Sequence, residues 1–392
     1  MFAKRPHASA SEVTGRRRLL LVVNVPEFFL SHRLAVALAA QRAGYDVHIA
    51  TGPGDAVQSI VGYGLVHHLI PLSRSGANPI AELASLWATI RLFRHLRPNL
   101  VHLVTVKPNI YGGIAARVVG VPGVVAAVSG LGHVFKSDDA WSGILRQIAG
   151  ALYRIAYGHK NLVAIFQNTD DRSSLIGLTG LPASRTFLIP GSGVDLGEYT
   201  DIPEPDGTPK VLFASRLIKS KGVIEFVEVA RRLRAQGVAA QFMLAGEIDP
   251  QNPASLTSTD VDAIRAEGLV DVLGHRTDMN ALISSAHIVV LPSYYGEGLP
   301  KVLIEAAACG RAVITTDHPG CRDAIQSERT GLLVPPRDID ALAQAILSLI
   351  FDPLRRRKLG AAGRLFAESE FSIESVVEAH LRIYDGVVSG EF

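Results

Sequence analysis

The sequence predicts an α/β protein made of two Rossmann-like domains facing a central cleft, and three observations carry that expectation. Both halves alternate short β-branched runs with amphipathic helical stretches, the pattern of parallel strands joined by crossover helices. Between the halves, Ile189-Pro-Gly-Ser-Gly-Val-Asp195 and then Asp201-Ile-Pro-Glu-Pro-Asp-Gly-Thr-Pro209 concentrate Pro and Gly and read as a linker. At 392 residues the chain has enough length for two cores. Domains of this kind bind ligands outside the carboxyl ends of their strands, so two facing sheets would share one crevice.

In the first half, Leu19–Val25, Asp46–Ala50, Val101–Val104, Val124–Val128 and Leu162–Gln167 read as strands because each is a short apolar run bounded by turn residues. Helical spacing places helices over Ser31–Ala43, Pro79–Leu96, Ile110–Val119 and Ala140–Tyr157. In the second half, strands are expected at Lys210–Ala214, Gln241–Ala245, Val270–Leu273, Ile288–Leu291 and Ala312–Thr315, with helices at Gly222–Gln236, Asp260–Ala266, Met279–Ser284 and Pro300–Cys309. The tail reads as three further helices, Ile339–Phe351, Pro353–Glu368 and Ser372–Val388.

Composition narrows the function classes. The chain is 48% hydrophobic and 19% charged, as a well-packed globular protein should be, and it holds no apolar run long enough to span a bilayer. Residues Met1 to Arg18 are polar, small and basic, and the apolar run after them is too short for a signal peptide. With Cys309 and Cys321 as the only cysteines, a disulfide framework is not indicated and a cytoplasmic setting is expected. The net charge of +2 conceals an asymmetry, since residues 1–190 carry 19 Lys+Arg against 9 Asp+Glu and the remainder carries 20 against 28. A basic first half suits an anionic partner or membrane surface, and scattered solvated charge would give the same count. Nucleic acid is not an expected partner, because the cations are dispersed and lack interleaved aromatics.

The most informative stretch is Glu297-Gly-Leu-Pro-Lys-Val-Leu-Ile-Glu305. It follows the strand Ile288–Leu291, so Glu297 falls on a loop at a strand's carboxyl end, while Pro300 suits the first helical position and Glu305 lies about one and a half turns into the helix. Backbone N–H groups near Gly298, Leu299 and Lys301 are expected to form an anion-binding helix N-terminus. A phosphate cradle with two hydroxyl acceptors suits a sugar nucleotide. After the strand Lys210–Ala214 comes Ser215-Arg-Leu-Ile-Lys-Ser-Lys-Gly222, which sets Arg216 and Lys221 at the mouth of the same crevice. Two fixed cations there can neutralise a diphosphate, Arg as a fork and Lys as a point charge. Alone, the same pair would also serve as surface cations beside a strand–helix turn.

On these residues the chain resembles the large retaining glycosyltransferase family 4, which has the GT-B fold. The resemblance rests on Ala214-Ser-Arg-Leu with Lys221-Gly, on Leu244-Ala-Gly246, on Pro292-Ser-Tyr-Tyr-Gly-Glu-Gly-Leu-Pro with Glu305-Ala and Gly310, on Ala312-Val-Ile-Thr-Thr-Asp with Gly320, and on Gly193-Val-Asp195. In the first half, Glu27-Phe-Phe-Leu-Ser-His-Arg-Leu, Val106-Lys-Pro-Asn-Ile-Tyr-Gly-Gly and Ala127-Val-Ser-Gly-Leu-Gly-His-Val-Phe are similar to bacterial transferases that extend polyprenyl-diphosphate-linked oligosaccharides.

The resemblance implies a metal-independent, cofactor-free transferase moving a sugar with retention from a UDP-sugar to a lipid-linked saccharide, at the inner face of the cytoplasmic membrane, in surface polysaccharide or glycan assembly. It assigns phosphate binding to Arg216 and Lys221, the ribose hydroxyls to Glu305, the donor sugar to Glu297, and the phosphate-facing backbone to Gly298 and Leu299. The nucleotide base would lie near Leu273-Gly-His-Arg276. Retention by front-side attack would need position and electrostatics but no protein nucleophile. The last helix would cross back onto the first domain, giving an acceptor-binding domain of residues 1–195 plus about 373–392 and a donor-binding domain of 196–372.

Two departures bear on the site. Relatives carry a His after the strand that here runs Val124–Val128, where this chain has Ser129-Gly130 and its nearest imidazole is His133, a candidate for the same catalytic space. The Gly-rich loop after the first strand is replaced by Pro26 and Glu27, leaving Arg33 and Lys107 as candidate contacts to an acceptor diphosphate. For the membrane, Arg91-Leu-Phe-Arg-His-Leu-Arg97 and the helical stripe Trp141, Ile144, Leu145, Ile148, Leu152 and Ile155 both combine apolar bulk with cations. A sugar-nucleotide epimerase on the same fold and a non-catalytic nucleotide-sugar scaffold are the rival readings. The four charged residues argue against the scaffold, and the absence of a G-x-G-x-x-G after a first strand argues against an oxidoreductase.

Overall fold

The computed structural model describes residues 16–72, 78–131, 140–250, 252–294 and 296–392, with the side chains of 140–146 left aside. The first half runs β1 (Arg18–Val23), α1 (Pro26–His32), α2 (Leu34–Arg42), β2 (Asp46–Thr51), α3 (Val57–Gly62), β3 (Val66–Leu69), α4 (Pro79–Leu96), β4 (Leu100–Val104), α5 (Val106–Val119), β5 (Gly123–Val128), α6 (Ala140–Tyr157), β6 (Leu162–Phe166), α7 (Thr169–Thr179) and β7 (Thr186–Leu188). Its seven strands form one parallel sheet in the order β3-β2-β1-β4-β5-β6-β7. The central strands β4, β5 and β6 are buried along their whole length, which explains why they read as unbroken apolar runs.

The second half continues with β8 (Lys210–Ala214), α8 (Val223–Ala235), β9 (Gln241–Ala245), α9 (Ser258–Glu267), β10 (Asp271–Gly274), α10 (Met279–Ser284), β11 (Ile288–Leu291), α11 (Lys301–Ala308), β12 (Ala312–Thr316), β13 (Gly331–Val334), α12 (Ile339–Phe351), α13 (Pro353–Glu370) and α14 (Ile373–Ser389). Its six parallel strands lie in the order β10-β9-β8-β11-β12-β13. Both sheets reverse direction of growth at their first strand, the topology that opens a crevice at the strand ends.

The helix expected over Ser31–Ala43 is two helices. Arg33 leaves the helical region at φ −132°, ψ −8°, ending α1 and starting α2, while Pro26 sits in the first turn of α1, where it has no N–H to lose. The strands β3, β7 and β13 and the helices α3 and α7 were outside the sequence expectation. β3 and β7 are short edge strands with mixed burial, and α7 has a mostly polar sequence, so neither produces an apolar period.

Two stretches of backbone connect the halves, and they are bonded to each other. Val194 N–H donates to the Phe371 carbonyl (2.8 Å) and Ile373 N–H donates to the Val194 carbonyl (3.0 Å), forming a parallel bridge between Val194 and Ser372. Gly193 is needed here: at φ +77° a Cβ would stand 2.7 Å from the Ile373 Cα. Beyond the crossing, α14 packs Val376, Ile383, Tyr384 and Val387 into the core of the first half, beside α2, β4 and β5.

The same helix places His380 and Tyr384 against His102 of β4. The rings of His102 and His380 stack at 5.6 Å, and the Tyr384 hydroxyl is bonded to Nδ1 of His102. Burial holds His102 well below the usual imidazole range and lowers His380 to about 3, with the Arg33 guanidinium adding repulsion in both cases. An imidazole kept neutral in the fold takes up its proton only on unfolding, so its contribution is intact above pH 6.5 and is lost as pH falls. We expect unfolding free energy to drop by about 1–2 kcal/mol between pH 6.5 and 5.5, read from urea melts at the two pH values, and His380→Phe to flatten that slope.

Candidate active site

The site is assembled from the loops after β8, β11 and β12, which are adjacent or nearly so in the second sheet. After β8 the chain makes a tight 3-10 turn over Lys219–Lys221 and enters α8 through Gly222 at φ +82°. A Cβ on Gly222 would collide with the Pro292 carbonyl of the neighbouring loop, so only glycine lets the two loops touch. That contact brings Lys221 Nζ to 2.5 Å from Glu297 Oε1, with both side chains largely buried. Ser293 Oγ, fully buried, donates to the same Glu297 oxygen at 2.8 Å. Tyr294 N–H is fastened to the Ser220 carbonyl (3.0 Å), and Thr316 Oγ1 donates to the Ser293 carbonyl, fixing the loop to both neighbouring elements. Cys321 is buried nearby, and burial with the Glu297 charge pushes its thiol up to about 12.

Gly222→Ala is expected to lower stability by about 1–3 kcal/mol, because the alanine must take a left-handed conformation and separate the two loops. Thermal unfolding measures the loss, and a melting point equal to the parent's would contradict the tight contact.

The other charged candidates are engaged in separate pairs. Arg216 Nη1 lies 2.5 Å from Asp249 Oδ2, with Asp249 nearly buried and Arg216 about half exposed. Glu305, the fifth residue of α11, is 6% exposed and lies 3.3 Å from Lys301 Nζ, and burial together with the Glu305 charge raises the pKa of the nearby Tyr199 hydroxyl. Thus the structure joins Lys221 directly to Glu297, while Arg216 and Glu305 have partners of their own. In the base region, Arg276 pairs with Asp278 and His275 Nδ1 lies 3.7 Å from Glu247.

The helix N-terminus differs from expectation in two respects. Pro300 is the residue before the helix, at ψ 120°, and α11 starts at Lys301. The Leu299 N–H, expected to face a phosphate, donates instead to Gln167 Oε1 of the first half at 2.8 Å. Next to it, Asn168 Nδ2 donates to the Glu297 and Gly298 carbonyls, each at 3.2 Å. Sequence reading missed Gln167 and Asn168, although a polar pair closing an apolar strand, with Asn ahead of Thr-Asp-Asp, carries the signal of a helix cap. It also missed Asp249 and Ser293, which no local pattern marks.

On the first half's side, Arg33 is only 2% exposed, and its Nη1 donates to the His32 carbonyl at 2.8 Å. The helix break that ends α1 turns its side chain inward, and burial lowers its pKa to about 10. Lys107, in the first turn of α5, lies 2.6 Å from Glu82 of α4, and Tyr111 donates to the other Glu82 oxygen at 2.6 Å. Thr105, between β4 and α5, holds the unusual φ of +75° for a β-branched residue. His133 lies outside the described residues, as do the side chains of Trp141, Ile144 and Leu145. Among the described residues no group of three or more His, Cys, Asp or Glu converges as metal ligands would, and no helix is long and apolar enough to cross a membrane.

Comparison with known proteins bears on the family and the fold. Residues 18–168 match the family model described as glycosyl transferase 4-like, and residues 208–352 match that of the glycosyl transferases group 1. The chain is 26% identical to the N,N'-diacetylbacillosaminyl-diphospho-undecaprenol alpha-1,3-N-acetylgalactosaminyltransferase of Campylobacter jejuni, over 92% of this chain and 98% of that protein. It is 25% identical to the capsular polysaccharide biosynthesis glycosyltransferase CapM of Staphylococcus aureus, over 88% of this chain and 91% of CapM. Among solved structures, HepE of Anabaena in complex with UDP-glucose superposes with a TM-score of 0.73 at 18% identity, covering 95% of this chain and 99% of HepE. With matched models on both sides of the linker and a fold of two facing parallel sheets, the chain belongs to the GT-B glycosyltransferases, a 4-like first domain joined to a group 1 second domain.

Proposed function

We propose that this glycosyltransferase moves a sugar, with retention, from a UDP-sugar to a lipid-linked saccharide in the assembly of a bacterial surface polysaccharide or glycan. The observation that carries the reading is the buried Lys221–Glu297 pair at the strand ends, beside the N-terminus of α11. A nucleotide-sugar laid across it would set its diphosphate against Lys221 and Arg216 and its sugar against Glu297, with Glu305 taking the ribose hydroxyls. Fixed cations at the leaving diphosphate supply the charge stabilisation that transfer demands. The relatives support the acceptor class, since one extends an undecaprenol-linked diphosphosugar and another serves capsular polysaccharide synthesis, and the UDP-glucose complex of HepE supports the nucleotide. On this reading residues 1–195 with about 373–392 hold the acceptor and 196–372 hold the donor.

The test is a thermal-shift screen of UDP-, GDP- and ADP-sugars followed by transfer assays on polyprenyl-diphosphate-linked saccharides. UDP-sugars should raise the melting temperature of the parent chain, and Glu305→Ala should weaken UDP binding at least tenfold by calorimetry, a loss of about 1.4 kcal/mol. Stabilisation by GDP- or ADP-sugars alone would overturn the nucleotide assignment.

Membrane contact belongs to the same proposal. On α4, Ile80, Leu83 and Trp87 are 79%, 66% and 62% exposed at one-turn spacings, and the Arg91 guanidinium lies 5.6 Å over the Trp87 ring. An apolar strip ending in cations fits the interface of an anionic bilayer. Ile80→Asp with Trp87→Asp is expected to cut binding to anionic vesicles at least tenfold in flotation assays, and unchanged flotation would dismiss this face.

A further inference from the structure

We propose that Gln167 and Asn168, from the first half, are positioning residues for Glu297, so that the donor-facing carboxylate is set in place only while the two halves are in contact. The inference rests on the reading that Glu297 faces the donor sugar.

Three backbone groups of the loop, the carbonyls of Glu297 and Gly298 and the N–H of Leu299, are satisfied by these two side chains. Both side chains are buried, at 8% and 2% exposure, and Asn168 is itself locked. Its Oδ1 accepts from Asp171 N–H at 2.8 Å, capping α7, and its Nδ2 also reaches Asp171 Oδ2 at 3.0 Å. The clamp is therefore held by a helix of the first half and cannot follow the loop if the halves part.

Steric fit points the same way. A Cβ on Gly298 would collide with Gln167 Oε1 and stand 2.9 Å from the Ser129 carbonyl carbon, and one on Gly130 would stand 2.9 Å from the Gly296 carbonyl oxygen. On the loop's other side, a Cβ on Gly320 would come within 2.6 Å of the Glu297 carbonyl oxygen. The segment from Gly296 to Leu299 is thus gripped between the end of β12 and the ends of β5 and β6, belonging to different sheets. Separating the halves would hand these backbone groups to water and remove the side chains that fix the loop, leaving it free to shift. Glu297, whose own carbonyl is one of those groups, would move with it.

The experiment uses Asn168→Ser, which keeps a capping hydroxyl for α7 but removes the amide donor, and Gln167→Ala, which removes the acceptor. UDP affinity is measured by calorimetry, and kcat is measured with the UDP-sugar found in the screen. Each variant should lower kcat about tenfold, equivalent to about 1.4 kcal/mol, while UDP affinity stays within about twofold and Tm within a few degrees. Unchanged kcat in both variants would overturn the proposal, and so would a parallel fall in kcat, UDP affinity and Tm, which marks a purely structural role. A parent chain that binds no nucleotide overturns the donor reading and this proposal together. That outcome is distinct from failure of the clamp alone, where the parent binds UDP and the variants turn over as fast as it does.

Discussion

Lys221→Ala is expected to lower kcat/KM for sugar transfer by about 100- to 1,000-fold, the range seen when one fixed group that meets developing charge is removed from an enclosed site. The ammonium has two tasks that a single substitution removes together. It neutralises Glu297, from which it is 2.5 Å away in a setting that excludes most solvent, and with Arg216 it is one of the two cations proposed to face the leaving diphosphate. Losing it strands the carboxylate, so a fall in stability of about 3–5 kcal/mol should accompany the loss of rate. The two effects separate in a double-mutant cycle. Adding Glu297→Gln should recover most of the stability, because no unpaired charge is left, and recover none of the rate. Urea melts and initial rates on the four proteins decide it. A double variant as active as the parent would remove both residues from the chemistry.

Arg356→Ala should destabilise the second half by about 3–5 kcal/mol, since it breaks a buried ion pair from one side only. Arg356 on α13 meets Glu204 through two parallel contacts, Nε to Oε1 at 3.0 Å and Nη2 to Oε2 at 2.9 Å, and its Nη1 donates to the Leu349 carbonyl at 2.9 Å. Both side chains are more than nine-tenths buried. Glu204 belongs to the linker, so the pair pins an otherwise irregular Pro-rich segment to the second core. Arg311 reinforces it by donating to the Ile202 carbonyl at 3.0 Å and to the Ser284 carbonyl at 2.8 Å. Replacing Arg356 and Glu204 together by Met and Leu should cost much less than the single change, because no buried charge remains. Equilibrium urea unfolding of the single and double variants tests this, and a double variant as unstable as the single one would show that the charges matter less than the packing.

Much of this architecture was legible in the sequence, for a physical reason. Buried parallel strands such as β8, β9 and β11 are dense apolar runs bounded by turns, and their expected limits match the structure residue for residue. Helices with a marked start signal, such as α4 behind Asn78 with Pro79, were equally readable. Edge strands leave weaker traces, because one side is free and the alternation is short. At the site, strand-end placement sets Lys221 and Glu297 at one crevice, but nothing in the sequence marks their direct pairing. The partners Asp249 and Glu82 did not follow, because an ion pair between distant segments leaves no local pattern. The burial of Arg33 has the same origin: a cation at a helix junction gives no sign of which way the backbone will turn it.

The paired crossings at Val194 and Ser372 have a mechanical consequence. A single tether would let one lobe swivel, slide or twist against the other, and each such freedom would smear the meeting point of two reactants. Two antecedent strands of backbone laid side by side and stitched by hydrogen bonds behave as a leaf hinge, stiff to sliding and torsion and soft about one axis. Any opening or shutting of the halves about that axis would then retrace a single arc.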